Sequence, residues 1–316
     1  MGGCRLDTIS IVKEIGMAFL YLFICILTTG FFGCYVYKVF FLKKISLKEE
    51  LFKKDSIAVW LEFIGGFLAP VFFLISIVVA PNGKFVYQGT FKDLLVAIVY
   101  ITIYIFVFCL FRYLAEILIN IATKIKFGKK LILSQEIFIE DNLSVSFFSV
   151  STAVIATGMM LQENVLFENI YSNIVRILVV LFLNIGLISL YTTFVFPKGK
   201  AILKDFFIDH NTTSGILLLA NTIAINIIIA SSISFSKLSG MNWLNISNII
   251  DLILFNFYIY LFMMVFVTIT KKILAWIVKV DIEDEIFNMK NIGYVLFESS
   301  FYILLSFMAI NLLIIH

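Results

Sequence analysis

The sequence predicts an all-α polytopic membrane protein, with eight transmembrane helices arranged as four similarly oriented helical hairpin repeats. Three observations carry this reading. Apolar residues make up 61% of the 316 and charged residues 14%, with a mean hydropathy of +1.05, whereas a soluble domain holds about 45–50% apolar and about 25% charged residues. The charge-poor stretches reach the length of about 20 residues that a helix needs to cross a bilayer. One short motif recurs four times, each time just before such a stretch.

The spans fall at about 16–41, 57–80, 93–119, 142–161, 173–196, 212–234, 247–270 and 292–315. They are continuous and too long for tilted barrel strands. Runs such as ILVVLFLNIGL (177–187) lack the polar face of a soluble amphipathic helix. Basic residues concentrate in four loops: Lys43 to Lys54, Lys124 to Lys130, Lys198 to Lys204 and Lys271 to Lys290. Only Arg5, Lys13, Lys84, Lys92 and Lys237 lie on the other side. The positive-inside rule places the basic linkers in the cytoplasm and both termini outside.

The four linkers end in EELFKKDS (49–56), QEIFIEDN (135–142), KDFFIDHN (204–211) and DEIFNMKN (284–291). Each supplies an acid (Glu50, Glu136, Asp205, Glu285), a phenylalanine two residues on (Phe52, Phe138, Phe207, Phe287), and a polar residue six after the acid (Ser56, Asn142, Asn211, Asn291). Nine residues later come small residues, Gly65, Ser151, Ala220 and Ser300. Ser or Asn at a helix start is an N-cap, acids suit the positive end of the helix, the phenylalanines would seat the linker in the interface, and small residues allow close helix approach. A functional reading of the same motif has the acids line a cytoplasmic vestibule that concentrates cations. The hairpins run over 1–82, 83–166, 167–240 and 241–316 within one membrane domain. Their shared orientation puts the repeat axis along the membrane normal and allows a ring or two halves.

DNLSVSFFSVSTA (141–153), HNTTSGILLLANTIA (210–224) and, with Ser56 for Asn, KDSIAVWLEFIGG (54–66) are similar to the stretch beginning Gly-Asn in the bacterial domain-of-unknown-function-350 (DUF350) family; KNIGYVLFESSF (290–301) matches least. The chain resembles a doubled, eight-span form of that family. It departs from the pattern in carrying Asp141, His210 and Lys290 where the family has the glycine. The resemblance implies a protein of the bacterial inner membrane without established catalysis, a role with cytoplasmic membrane-stress proteins, and a channel or transport activity.

Ionisable residues at membrane depth mark functional candidates. Glu62 and Glu298 lie six and seven residues past the caps Ser56 and Asn291. They pair with Arg112 or Arg176, line a cation or proton path, or simply lie near enough to water. Arg112 and Glu116 share a helix face at i,i+4; with Arg176 and Asp251 they lie near enough to span ends for snorkelling. In EFIGGFLAP (62–70), Gly65, Gly66 and Pro70 make the least regular span segment, a candidate gate, with a kink expected at Pro70. Asn221 and Asn226 point about 140° apart on their helix, toward different neighbours, with Asn184 a partner for one of them. That leaves the core without a rich polar stripe.

Other chemistry finds no support in the residues. There is no phosphate loop, dinucleotide fingerprint, zinc-protease or nucleophile-elbow motif, so no enzyme is expected. Two histidines and four scattered cysteines suggest neither a metal nor a disulfide framework, and no cofactor. MGGCRLDTISIVKEIG does not read as a signal peptide. A net charge of +3 without a basic soluble region excludes nucleic acid. The expected partners are the lipid bilayer, further copies of the chain, and the membrane-stress protein that the resemblance implies. Two functions compete: a membrane pathway for a small ion or solute, and a non-conducting scaffold that recruits a cytoplasmic stress-response partner through its four acidic-amphipathic linkers, with Phe138 and Phe207 the positions whose change should remove recruitment.

Overall fold

The computed structural model describes residues 34–41, 56–70, 91–128, 131–160, 170–195, 201–234 and 244–314, with single positions between 16 and 54. Within these the chain is helical: α1 (Cys34–Phe41), α2 (Ile57–Phe63) continued by a π-helical turn (Ile64–Leu68), α3 (Phe91–Phe127), α4 (Leu133–Phe138), α5 (Leu143–Met160), α6 (Ile170–Val195), α7 (Ala201–Phe207), α8 (Thr212–Ser234), α9 (Ile246–Val278), α10 (Ile282–Phe287) and α11 (Ile292–Ile314). Among the described residues five helices are long and apolar enough to cross a membrane, in α3, α6, α8, α9 and α11; the α2 segment (Ile57–Leu68) and, in α5, Leu143–Gly158 are shorter apolar helices. The chain is therefore an α-helical, multi-span membrane protein. The first predicted span is described as a continuous helix only over Cys34–Phe41, with scattered helical positions before it. The hairpin boundaries at 82, 166 and 240, and the linker residues Glu50 and Phe52, lie outside the described residues.

Two helices outrun their predicted ends. α3 continues past 119 to Phe127 and stops at Gly128, whose φ of 68° is the left-handed geometry of a glycine terminator. α9 continues past 270 to Val278 and stops at left-handed Lys279. Lysines at 124, 126, 271 and 272 mark the end of the apolar stretch but not of the helix.

The helices that follow the linkers, here termed return helices, lie in a row. α2 packs on α5, α5 on α8, and α8 on α11, while α3, α6 and α9 flank them. Extensive packing does not join α2 to α11, so the described helices form a row and not a closed ring. The row has two apolar cores, one around Ala58, Phe108, Ile137 and Ala153, the other around Leu187, Ala224, Tyr260 and Val295. No described side chain of α5 or α8 is exposed. The flanking and terminal helices present Leu118, Phe182, Phe262 and Leu304 outward, as lipid-facing surfaces do.

Candidate functional site

The strongest charge cluster sits where α2, α3 and α5 meet. Ser56 starts α2 from an extended backbone, its hydroxyl accepting the Val59 N–H at 3.3 Å. Glu62, on the inner face of α2, takes the Arg112 guanidinium at 2.6 Å and the Ser149 hydroxyl of α5. Arg112 also reaches Glu116 at 3.2 Å and Ser134 at 3.4 Å. Both Glu62 and Arg112 are fully buried. Snorkelling is thus corrected for Arg112: its head turns inward, because Glu62 and Glu116 offer a closer counter-charge than water does. Arg176 is likewise buried, at 4% exposure, while Asp251 is exposed as expected.

The irregularity of EFIGGFLAP has a structural cause. Pro70 has no N–H to give the Gly66 carbonyl four residues back. The helix widens to a π turn in which the Ala69 N–H bonds Ile64 O, and the Tyr104 hydroxyl of α3 donates to Gly66 O at 2.5 Å. A Cβ on Gly65 would lie 2.7 Å from Val150, and one on Gly66 2.8 Å from Phe108, so both glycines admit a neighbouring helix. We expect Tyr104→Phe to cost about 1–3 kcal/mol, the penalty of a buried carbonyl left unmade. It should cost less in a Pro70→Ala background, where an N–H is restored; thermal unfolding of the four proteins in micelles measures the difference.

The linkers fold alike at the three places described. The cap N–H bonds the backbone oxygen of the acid six residues back: Asn142 to Glu136 at 2.9 Å, Asn211 to Asp205 at 2.8 Å and Asn291 to Glu285 at 2.8 Å. The residue before each cap is left-handed, with φ of 50° at Asp141, 46° at His210 and 52° at Lys290. Each of these residues reaches the neighbouring linker or return helix on its N-terminal side. Asp141 accepts the Ser56 hydroxyl at 2.6 Å and the Ala58 N–H at 2.9 Å. His210 Nε2 lies 3.8 Å from Glu136, and Lys290 donates to Asp209 O at 2.8 Å.

Two expectations for the motif are corrected here. Glu136 and Asp205 are buried, not arrayed in an open vestibule, because they serve the caps: Asn142 donates to Glu136 at 3.0 Å, and Ser214 reaches Asp205 at 3.4 Å. Among the described acids of the motif, Glu285, bonded by Asn291 at 2.7 Å, is the least enclosed. Burial, and then the charge of Asp209, push the Asp205 carboxyl above its ordinary pKa. Phe138 and Phe207 do not seat the linkers in the interface. They are 2% and 5% exposed and belong to the first core, while Phe287 is half-buried against the second. Ile139 and Ile208, the next residues along, are the exposed ones.

Toward the C-terminus the pairing differs from the expected one. Glu298 meets neither Arg112 nor Arg176 but Lys271 of α9, at 2.7 Å, because α9 continues far enough to bring that lysine alongside. A cleft of about 210 Å³ between α9, α10 and α11, lined by Leu274, Val278, Glu285, Asn291 and Tyr294, adjoins this pair. Asn226 donates to Asn184 at 3.0 Å, and Asn221 accepts the Tyr260 hydroxyl at 2.8 Å, so the two asparagines do serve different neighbours. Asn256 bonds Ser232 at 2.8 Å.

The expectation of a core without a rich polar stripe is also corrected. Ser144, Ser146, Ser149, Thr152 and Thr157 on α5, and Thr213, Ser214, Asn221, Thr222 and Asn226 on α8, are all buried. The signal was present as hydroxyl residues dense over 144–157 and 212–222. Ser and Thr do not lower hydropathy as charges do, and they escape a reading built on charge. Among the described residues no group of three or more His, Cys, Asp or Glu side chains is placed to hold a metal. Compared with known families, curated proteins and solved structures, the chain matches none.

Proposed function

We propose that this multi-span protein forms a membrane pathway for a small ion or solute. The observation that carries the reading is the polar interior of α5 and α8, two helices with no exposed side chain among the described residues, with the buried Glu62–Arg112 pair beside them. Polar and charged groups at membrane depth are costly and mark conduction and relay sites. Glu62 is held by Arg112 and Ser149, so passage of a cation or proton requires it to exchange one of these for the permeant. Glu298, with Lys271 at the adjoining cleft, forms a second candidate station.

In this reading the chain has eight spans, lies in the bacterial cytoplasmic membrane, and keeps its basic linkers inside and both termini outside. Membership of the domain-of-unknown-function-350 family belongs to the same proposal. It is supported by the left-handed backbone at Asp141, His210 and Lys290, the position at which that family carries glycine. A scaffold would have to recruit its membrane-stress partner through Ile139 and Ile208, since Phe138 and Phe207 are enclosed.

The test is ion flux in sealed liposomes under cation and pH gradients imposed in turn. Glu62→Gln and Glu298→Gln together should reduce flux to that of protein-free vesicles while the elution volume in detergent stays unchanged. Full flux from the double variant overturns the path, and no flux from the wild type overturns conduction.

A further inference from the structure

The row of return helices follows one packing rule. Ser56, Asn142 and the position two residues beyond each of the first three caps turn toward the next return helix or linker, and in α2 so does the position nine beyond. In α2, Ala58 O accepts the Ser146 hydroxyl at 2.8 Å, and Gly65 abuts Val150. In α5, a Cβ on Gly215 of α8 would stand 3.0 Å from Ser144 Cα. In α8, the Thr213 hydroxyl donates to Ile286 O at 2.7 Å. The three caps are buried accordingly, and Ala220 with them.

In α11 the same positions are bare. Asn291, Gly293 and Ser300 are exposed, and Leu296 and Phe297 between them are 53% and 52% exposed. Among the described residues nothing requires Gly293 to be small, since a Cβ there would meet only its own cap side chain at 3.4 Å. Glycine inside a helix costs about 1 kcal/mol relative to alanine, and packing against lipid does not call for it. The receiving positions, four and eight beyond the cap, are Ser146 and Val150 in α5 and Gly215 in α8. Their counterparts in α2 are half-buried Trp60 and Ile64, which is 47% exposed.

We infer that the bare face of α11 docks on the Trp60–Ile64 face of α2 in a second copy of this chain, continuing the row head to tail between molecules. Such a heterologous contact closes into a ring or extends as a filament. The inference does not rest on conduction.

Cysteine cross-linking in native membranes tests it. Ser300 and Ile64 are the counterparts of Gly65 and Val150, for which Cβ to Cβ is 3.4 Å, close to the spacing of a disulfide. Differently tagged Ser300→Cys and Ile64→Cys chains are co-expressed with Cys4, Cys25 and Cys34 changed to Ser and Cys109 to Ala. Oxidation should yield a dimer bearing both tags, which Gly293→Leu in the Ser300→Cys chain abolishes. Cross-linking of Ser300→Cys to itself overturns the head-to-tail arrangement. Absence of cross-linking, or equal cross-linking from lipid-facing Phe262→Cys, shows a lipid surface and overturns the docking.

Discussion

Arg112→Leu should lower the unfolding free energy by about 3–5 kcal/mol, the cost of removing one partner from a buried ion pair. Glu62 would then lie fully enclosed, with the Ser149 hydroxyl as one remaining donor and no guanidinium. Glu116 would lose the guanidinium too, but it keeps the Ser134 hydroxyl and at 16% exposure can turn to water. Adding Glu62→Leu should recover most of the loss, because an apolar pair of similar volume in a buried site is often as stable as the ion pair. Equilibrium unfolding of the four proteins in mixed micelles gives the coupling directly. A small loss from Arg112→Leu alone would mean that water reaches Glu62 in the folded protein. The double leucine variant should also be silent in flux, which separates the stabilising role of the pair from its place in the pathway.

Asn142→Ala and Asn291→Ala change the same place in the motif and should differ in cost. Asn142 uses both ends of its side chain. Its oxygen accepts the Ser144 N–H at 3.1 Å and the Val145 N–H at 3.4 Å; its nitrogen donates to Glu136 at 3.0 Å and to Phe206 O at 2.9 Å. Alanine removes a cap, worth about 1 kcal/mol, and leaves a buried carboxylate and a buried carbonyl short of a donor, at about 1–3 kcal/mol. We expect a total near 2–4 kcal/mol. Asn291 makes the corresponding bonds to Glu285 and Tyr294 but is exposed, so water replaces what alanine removes. Its loss should stay near the value of a cap alone. Thermal unfolding of the two variants side by side measures the contrast, and equal losses would mean that Asn291 is covered in the membrane.

Much of the fold was legible in the sequence because it depends on local rules. The apolar runs mark the helices, and Ser56, Asn142, Asn211 and Asn291 mark the starts of the return helices. Glu62 stood out as a charge in an apolar run, and Arg112 as one of its two eligible partners. What was not legible depends on which helices meet. Lys271 reads as a loop lysine until α9 is seen to run past it. Tyr104 looks like one aromatic among many until Pro70 leaves the Gly66 carbonyl open. Phe138 and Phe207 repeat at the spacing of an interfacial anchor, yet the linkers turn them inward. The row itself could not be chosen over a ring, because identical repeats satisfy the same local chemistry in either arrangement.

Asp141, His210 and Lys290 hold a backbone geometry that costs an L-residue roughly 1–2 kcal/mol, and each spends its side chain on the stretch made just before it. On a ribosome this gives assembly a direction. The Ser56 hydroxyl and the Ala58 N–H at the start of α2 gain this acceptor only once Asp141 has been synthesised, and Glu136 gains its contact with His210 later still. A nascent chain halted between two joints therefore presents an unfinished helix start at its newest end, whereas every earlier joint has already closed.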